Sequence, residues 1–360
     1  MHRLETTPMV YLYRVLGLVQ FSPPRSRKTS LKNGPPLWLI PMSLYFIYVC
    51  LNCSTIFNSS KGTLRYVDII STIASVLSMC TCTVMFYRRR TKIQSLLIEI
   101  RQTTLQSSVS HQTINWLKSF LFCDIAVITV SLPFFEKPFF SFFCFFLPML
   151  VNIFDHLFLD DILTYLGAEF DMISQHLKQQ RDSMTLLDTQ IFADIERIQK
   201  LSLRHCDLSK LTLRLTRCFE VTTLAAMMMW FGYIVDSMFF FVFDLMYERH
   251  LETTIVEFAT SLIYQKMLIL WLWIVLKMYA RTEDKVASRA VGYVHDIWNK
   301  FVMMRRVNCE VRHLQMISIR FLNTKPKFTA MNFFPLDWSF CHVLIGAITT
   351  YIIILVQFKI

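Results

Sequence analysis

Residues 337–360 read DWSFCHVLIGAITTYIIILVQFKI, and the reading of this stretch decides the fold. From Trp338 to Phe358 there is no charged residue, a run of 21 positions. At ~1.5 Å of rise per residue this makes about 31 Å of helix, enough to cross a hydrocarbon core of about 30 Å. A plain anchor would be blandly apolar, but this segment carries Ser339, His342, Gly346, Thr349, Thr350, Tyr351 and Gln357. In lipid such groups turn toward protein or water. Val343, Thr350 and Gln357 follow one another at seven-residue steps, with Ala347 and Ile354 between them on the same stripe. Tyr351 and Phe358 repeat the step on the adjacent face. A helix with one small and polar stripe fits a close partner helix or the wall of a pore.

Composition extends this to the whole chain. Of 360 residues 54% are hydrophobic and 32 are Phe, while charged residues make up 18%, below the roughly 25% usual for soluble domains. A polytopic, all-α membrane protein is expected. Seven spans follow from hydropathy, at about 37–57, 64–87, 117–135, 139–159, 221–247, 255–279 and 337–358. Glu136-Lys137-Pro138 is so short a link that the third and fourth spans form an antiparallel pair.

Basic residues orient the spans. Six Lys or Arg precede the first span, six fall in 88–118, eight in 160–220 and eleven in 277–336, together 31 of the 37. The positive-inside rule then places the amino terminus in the cytoplasm and, after seven crossings, the carboxyl terminus outside. Asn52-Cys53-Ser54 and Asn58-Ser59-Ser60 are the chain's N-x-S/T sequons, so Asn52 and Asn58 are glycosylation candidates on the expected outer side. This orientation is opposite to that of a G-protein-coupled receptor, and the DRY-like and NPxxY landmarks of such receptors are absent.

Beyond the spans the apolar residues keep helical spacing. Leu163, Leu166, Phe170, Ile173 and Leu177 continue the fourth span, and Ile191, Ile195, Ile198, Leu201, Leu208, Leu211 and Leu215 lead into the fifth. Val286, Ala290, Val294, Ile297, Phe301 and Met304 follow the sixth. Together they predict a helical bundle beneath the membrane.

The stretch Thr350 to Phe358 reads TYhhhhhQF, with h apolar. It is similar to the terminal signature of the insect gustatory receptor family, and the helical organisation of the whole chain resembles that family as well. Tyr13-Arg14-Val15-Leu16-Gly17 is similar to a pattern near the amino terminus of many members. The resemblance implies a ligand-gated cation channel in the plasma membrane of sensory neurons. It implies a homo- or hetero-tetramer with other gustatory receptor subunits, and a small-molecule tastant, bitter or another contact cue, as ligand. The subunits would meet in the bundle beneath the membrane, which serves as an anchor domain.

Four copies of the last helix around an axis would enclose water. Ala347, Thr350, Tyr351, Ile354, Gln357 and Phe358 are the candidate pore and gate residues. Ile354 and Phe358 would narrow the pore by dewetting, and Gln357 would offer a neutral amide ring. An insect odorant receptor channel, or a seven-helix receptor signalling through a partner protein, are the rival readings.

An ionisable group at mid-membrane costs about 2.5–3.5 kcal/mol on insertion scales and needs a partner or water. Asp236 and Lys266 lie at matching depths in the fifth and sixth spans and are expected to pair. With Phe135, Phe139, Phe240, Tyr264 and Gln265 they make up a candidate ligand pocket in the outer half. Asp155, Asp160 and Asp161, at the inner end of the fourth span, read as hydrated interfacial charge. Among the ten Cys, Cys50 and Cys53 alone have CxxC spacing, and with nine dispersed His no full metal site of ordinary spacing is expected. There is no HExxH, GxSxG or Gly-rich phosphate loop. No enzyme activity, cofactor or nucleic-acid partner is expected.

Overall fold

A backbone in lipid must satisfy its own polar groups, and helix does so within one segment. The computed structural model describes residues 39–51, 63–103, 146–183, 188–247, 251–287, 289–303, 315–319 and 327–357, with positions 125, 126, 129 and 312. In chain order these hold α1 (Leu39–Leu51), α2 (Thr63–Thr103), α3 (Leu147–Ser183), α4 (Asp188–Tyr247), α5 (Leu251–Ala287) and α6 (Arg289–Met303). Two short strands, β1 (Thr329–Ala330) and β2 (Phe334–Pro335), then precede α7 (Trp338–Gln357). The expected spans at 37–57, 64–87, 139–159, 221–247, 255–279 and 337–358 fall on α1, α2, α3, α4, α5 and α7. The third, 117–135, lies outside the described residues apart from positions 125, 126 and 129, as do the link 136–138 and the start of the fourth.

Four helices are longer than any bilayer requires. With 60 residues, α4 extends about 90 Å at ~1.5 Å per residue. It contains one Gly and no Pro, and α2 and α5 contain neither, so nothing in these sequences breaks the helix where it leaves the lipid. In α3, Pro148 occupies the second position, where a missing N–H is harmless. The expected fifth span and the amphipathic segment before it are therefore one rod.

The core lies where α2, α3, α4 and α5 meet. Trp230, Tyr233, Phe219 and Trp271 are among its fully buried large side chains. The expected stripes of the extension face it: Leu163, Leu166, Phe170, Ile173 and Leu177 of α3 are buried, as are Ile195, Ile198, Leu208, Leu211 and Leu215 of α4. Val286, Val294 and Ile297 complete it from α5 and α6. Ion pairs fasten the rods at their edges. Arg204 Nη2 reaches Glu169 Oε2 at 3.0 Å, Arg181 Nη1 reaches Asp296 Oδ2 at 3.1 Å, and Arg214 Nη2 reaches Glu99 Oε1 at 2.6 Å. Gly167 has a local reason: a Cβ there would stand 2.9 Å from Lys285 Cδ. The bare backbone lets the Lys285 stem lie across α3, and its Nζ donates to Asp171 Oδ2 at 2.5 Å.

The strands pair antiparallel, Thr329 with Pro335 and Ala330 with Phe334. Met331 and Asn332 make the turn at positive φ, 51° and 61°, a conformation asparagine tolerates and methionine rarely adopts. The hairpin delivers the chain to Asp337, whose Oδ1 accepts the Ser339 N–H at 2.9 Å and caps α7.

His205 of α4 packs edge-on against Phe170 of α3, ring centroids 5.0 Å apart. Burial pushes its imidazole down to about 4, against a hydrogen bond to the Val286 backbone that pulls it up. The unfolded value is about 6.5. Between these two values the unfolded chain binds a proton that the folded chain does not, so stability falls as pH drops from about 6.5 toward 4, by on the order of 3 kcal/mol in full. Thermal unfolding of the purified protein, followed by tryptophan fluorescence, is expected to show the midpoint declining over that window. His205→Gln should flatten the decline.

Candidate functional site

The expected pore stripe faces out of the single chain. α7 packs on α4 through Phe340, with Leu344 and Ile348 half-buried against the core. Phe340 stacks on Phe334 of the hairpin, centroids 4.2 Å apart. Among the described residues of α7, Phe340 is the only buried side chain. Val343 is 67% exposed and Ile354 41%. Ala347, Thr350 and Gln357 are exposed and Tyr351 is half-buried, while Phe358 lies outside the described residues. The Thr349 and Thr350 hydroxyls donate to the carbonyls one turn back, Ile345 O at 2.8 Å and Gly346 O at 2.9 Å. A Cβ on Gly346 would meet nothing within 4 Å, so no neighbour within the chain requires glycine there. Nearly the whole circumference of this apolar helix is left for something outside the chain to cover.

The candidate ligand pocket is only partly described. Phe135 and Phe139 lie outside the described residues, as do the side chains of Phe240, Tyr264 and Gln265, and the candidate sequon residues Asn52 and Asn58. Asp236 is half-buried on α4, but Lys266 is exposed. The expected Asp236–Lys266 ion pair does not form among the described residues. The cause is rotation about the helix axis. Lys266 falls on an exposed stripe with Ile269, Trp273 and Lys277, whereas Met267, Leu268, Trp271 and Val275 form the buried face of α5. Equal depth does not imply facing sides.

The buried charge lies elsewhere. Arg89 of α2 and Asp155 of α3 are 3% and 0% exposed and form an ion pair. Arg89 Nη1 also donates to Thr222 Oγ1 of α4 at 3.0 Å, and its guanidinium lies over the Phe219 ring at 4.2 Å. Asp155 is thus not the hydrated interfacial acid expected, and Asp161 is buried too. The spacing that betrays Arg89 is visible in hindsight. Cys82, Phe86, Arg89, Ile93, Leu96 and Ile100 form one inward face of α2, so helical rotation carries Arg89 into the core.

Around this pair runs a buried polar layer. Asn152 Nδ2 donates to Ser78 Oγ at 2.9 Å and Cys82 Sγ donates to Asn152 Oδ1 at 3.2 Å, joining α2 to α3. Ser75 and Tyr233 hydroxyls bond α2 to α4. Thr223 and Tyr279 hydroxyls, 3.1 Å apart, bond α4 to α5. His156 meets Asn152 O through Nδ1 at 2.7 Å, which makes Nδ1 the donor. Asp155 Oδ2, His156 Nε2 and Trp230 Nε1 are buried without a hydrogen-bond partner. No nucleophile–base arrangement accompanies them, and among the described residues no group of His, Cys, Asp and Glu is placed to hold a metal ion.

Comparison with known proteins bears on this arrangement. The family model for the 7tm chemosensory receptor matches residues 6–360. A Drosophila melanogaster protein assigned as gustatory receptor 28b is 32% identical over 112 residues, 31% of this chain and 23% of that relative, so the match spans less than a quarter of the relative's length. Among solved structures, the insect olfactory receptor OR5 from Machilis hrabei superposes with a TM-score of 0.72 at 12% identity, over 99% of this chain and 98% of that one. The same receptor in complex with eugenol gives 0.68 at 13% identity, over 97% and 96%. At these identities the likeness establishes the fold alone.

Removing one member of a buried ion pair strands the other, at about 3–5 kcal/mol. Arg89→Met and Asp155→Leu are each expected to lower the thermal stability of the purified protein by that order. The double substitution should cost less than the two added, because no charge is left unpaired. A double-mutant cycle on thermal unfolding checks this.

Proposed function

The chain belongs to the 7tm chemosensory receptor family, and we propose that it is a gustatory receptor that works as one subunit of a tetrameric, ligand-gated, nonselective cation channel. The observation that carries this reading is the exposure of α7. A 20-residue apolar helix docked along one edge, with its Thr350, Ile354 and Gln357 stripe turned outward, is incomplete as a single chain. Copies around an axis would cover its flanks and leave the small and polar stripe facing water. Gly346, open to space in the single chain, would admit the close approach of a neighbouring helix. The TYhhhhhQF ending favours taste over smell.

In this reading the amino terminus is cytoplasmic and the carboxyl terminus is outside. The bundle of α3, α4, α5 and α6 extensions is the anchor where subunits meet, in the plasma membrane of sensory neurons. The ligand is a small organic tastant held between outer helix halves. The eugenol complex of the Machilis receptor supports a small-molecule ligand for this fold. Binding opens the pore only through a higher affinity for the dilated state. Ile354 and Phe358 form the hydrophobic constriction, and the uncharged Gln357 ring selects weakly among cations.

Cells expressing the chain, alone and with other gustatory subunits, should give currents to a tastant panel. In responding protein carrying Thr350→Cys, Ile354→Cys or Gln357→Cys, a charged thiol reagent is expected to block the current. Leu344→Cys and Ile348→Cys, against the core, should not respond. Protection of all three outward positions would refute the pore. Gln357→Glu, which places a carboxylate in each copy, is expected to raise calcium permeability relative to sodium, read as a reversal-potential shift.

A further inference from the structure

Arg88-Arg89-Arg90-Thr91-Lys92 crosses the end of the second expected span, and the helix sends these cations in different directions. Arg89 turns inward to Asp155. The others, with Arg89 at its floor, line an open groove of about 910 Å³ between α2 and α4, whose far wall carries Arg214 and Arg217. Among the described residues no carboxylate lines it. Glu99 engages Arg214 from outside the groove, but among the described residues no ion pair engages Arg88, Arg90, Lys92 or Arg217. Glu220 lies close enough to Arg217 to offset part of its charge, but among the described residues Arg88, Arg90 and Lys92 have no such acid paired to them and repel one another, and a bound anion would relieve that.

The helix face leading into the groove is apolar. Ile73, Leu77, Cys80, Val84 and Tyr87 are exposed at spacings of three and four, one outward stripe of α2 within the expected span. The same stripe continues into Arg88, Thr91, Lys92 and Ser95, also exposed. One face therefore changes from lipid-compatible to strongly basic at the membrane boundary. A soluble anion would need only the basic half. An amphiphile with acyl chains along Ile73 to Tyr87 and its headgroup among the arginines uses both.

We propose that this groove binds the headgroup of an anionic phospholipid carrying more than one phosphate, drawn from the leaflet on that side. Three cations of α2 without an ion pair, facing Arg214 and Arg217, match a multiply phosphorylated inositol headgroup better than a singly charged one. The proposal rests on the orientation given above, which puts the groove at the cytoplasmic leaflet, where basic pockets between spanning helices meet such lipids. Occupancy would couple α2 to α4 beside the Arg89–Asp155 pair.

The test uses the full-length protein purified in detergent and short-chain phosphatidylinositol 4,5-bisphosphate, with thermal midpoint as the readout. The wild type is expected to show a saturable upward shift, and short-chain phosphatidylcholine none. The triple variant Arg88→Gln/Lys92→Gln/Arg217→Gln should need on the order of 100-fold more lipid for the same shift. If it does not fold, Arg217→Gln alone, outside the α2 tract, should need about fivefold more, while Arg217→Lys should retain binding. Equal shifts in wild type and variants, or no shift, would overturn the site. Equal affinity for inositol trisphosphate without chains would overturn the lipid source. A carboxyl-terminal tag found on the cytoplasmic side would move the groove to the other leaflet and overturn the stated source as well. None of these readouts depends on a current, so loss of the channel reading and loss of this one are separable.

Discussion

A guanidinium drawn out of water must be neutralised where it comes to rest, and here it rests between four helices. Arg89 brings its charge from α2, Asp155 answers from α3, Thr222 and Phe219 of α4 close around it, and Thr223–Tyr279 ties α5 to the same level. A buried ion pair is a poor source of net stability, since desolvation offsets most of the attraction. Its effect is on specificity. Any rotation or sliding of α2 against α3 separates the charges in a low dielectric, so one register is strongly preferred. The polar layer of Ser75, Ser78, Asn152 and Tyr233 repeats this constraint toward the middle of the expected spans.

With the registry held there, the long helices act as levers. Since α4 passes without interruption from the extension into the expected membrane region, movement at one end is carried to the other by a stiff element. α7 leans on this frame through one edge, against α4.

The basic groove and the buried pair arise from the same five residues. A run of cations on a helix cannot all face one way. One of them entered the core and the rest line the groove at the end of the expected span.

Hydrophobic runs of spanning length, the stripe spacing along Leu163 to Leu177, and the step from Val343 through Thr350 to Gln357 were all legible in the linear order of residues. Each depends only on the helical repeat, and a continuous helix preserves it. The helical elements therefore agree with the pattern. Arg89 and Asp155 were not legible as partners, because counting charges per segment ignores which way each one points. Asp236 and Lys266 matched in depth and yet did not meet, for the same reason. The sequence alone thus determined that the described segments are helical and which family the chain resembles. Only the tertiary structure decided how each helix is rotated against its neighbours, because that angle is set jointly by the side chains of both, and these stand far apart in the sequence.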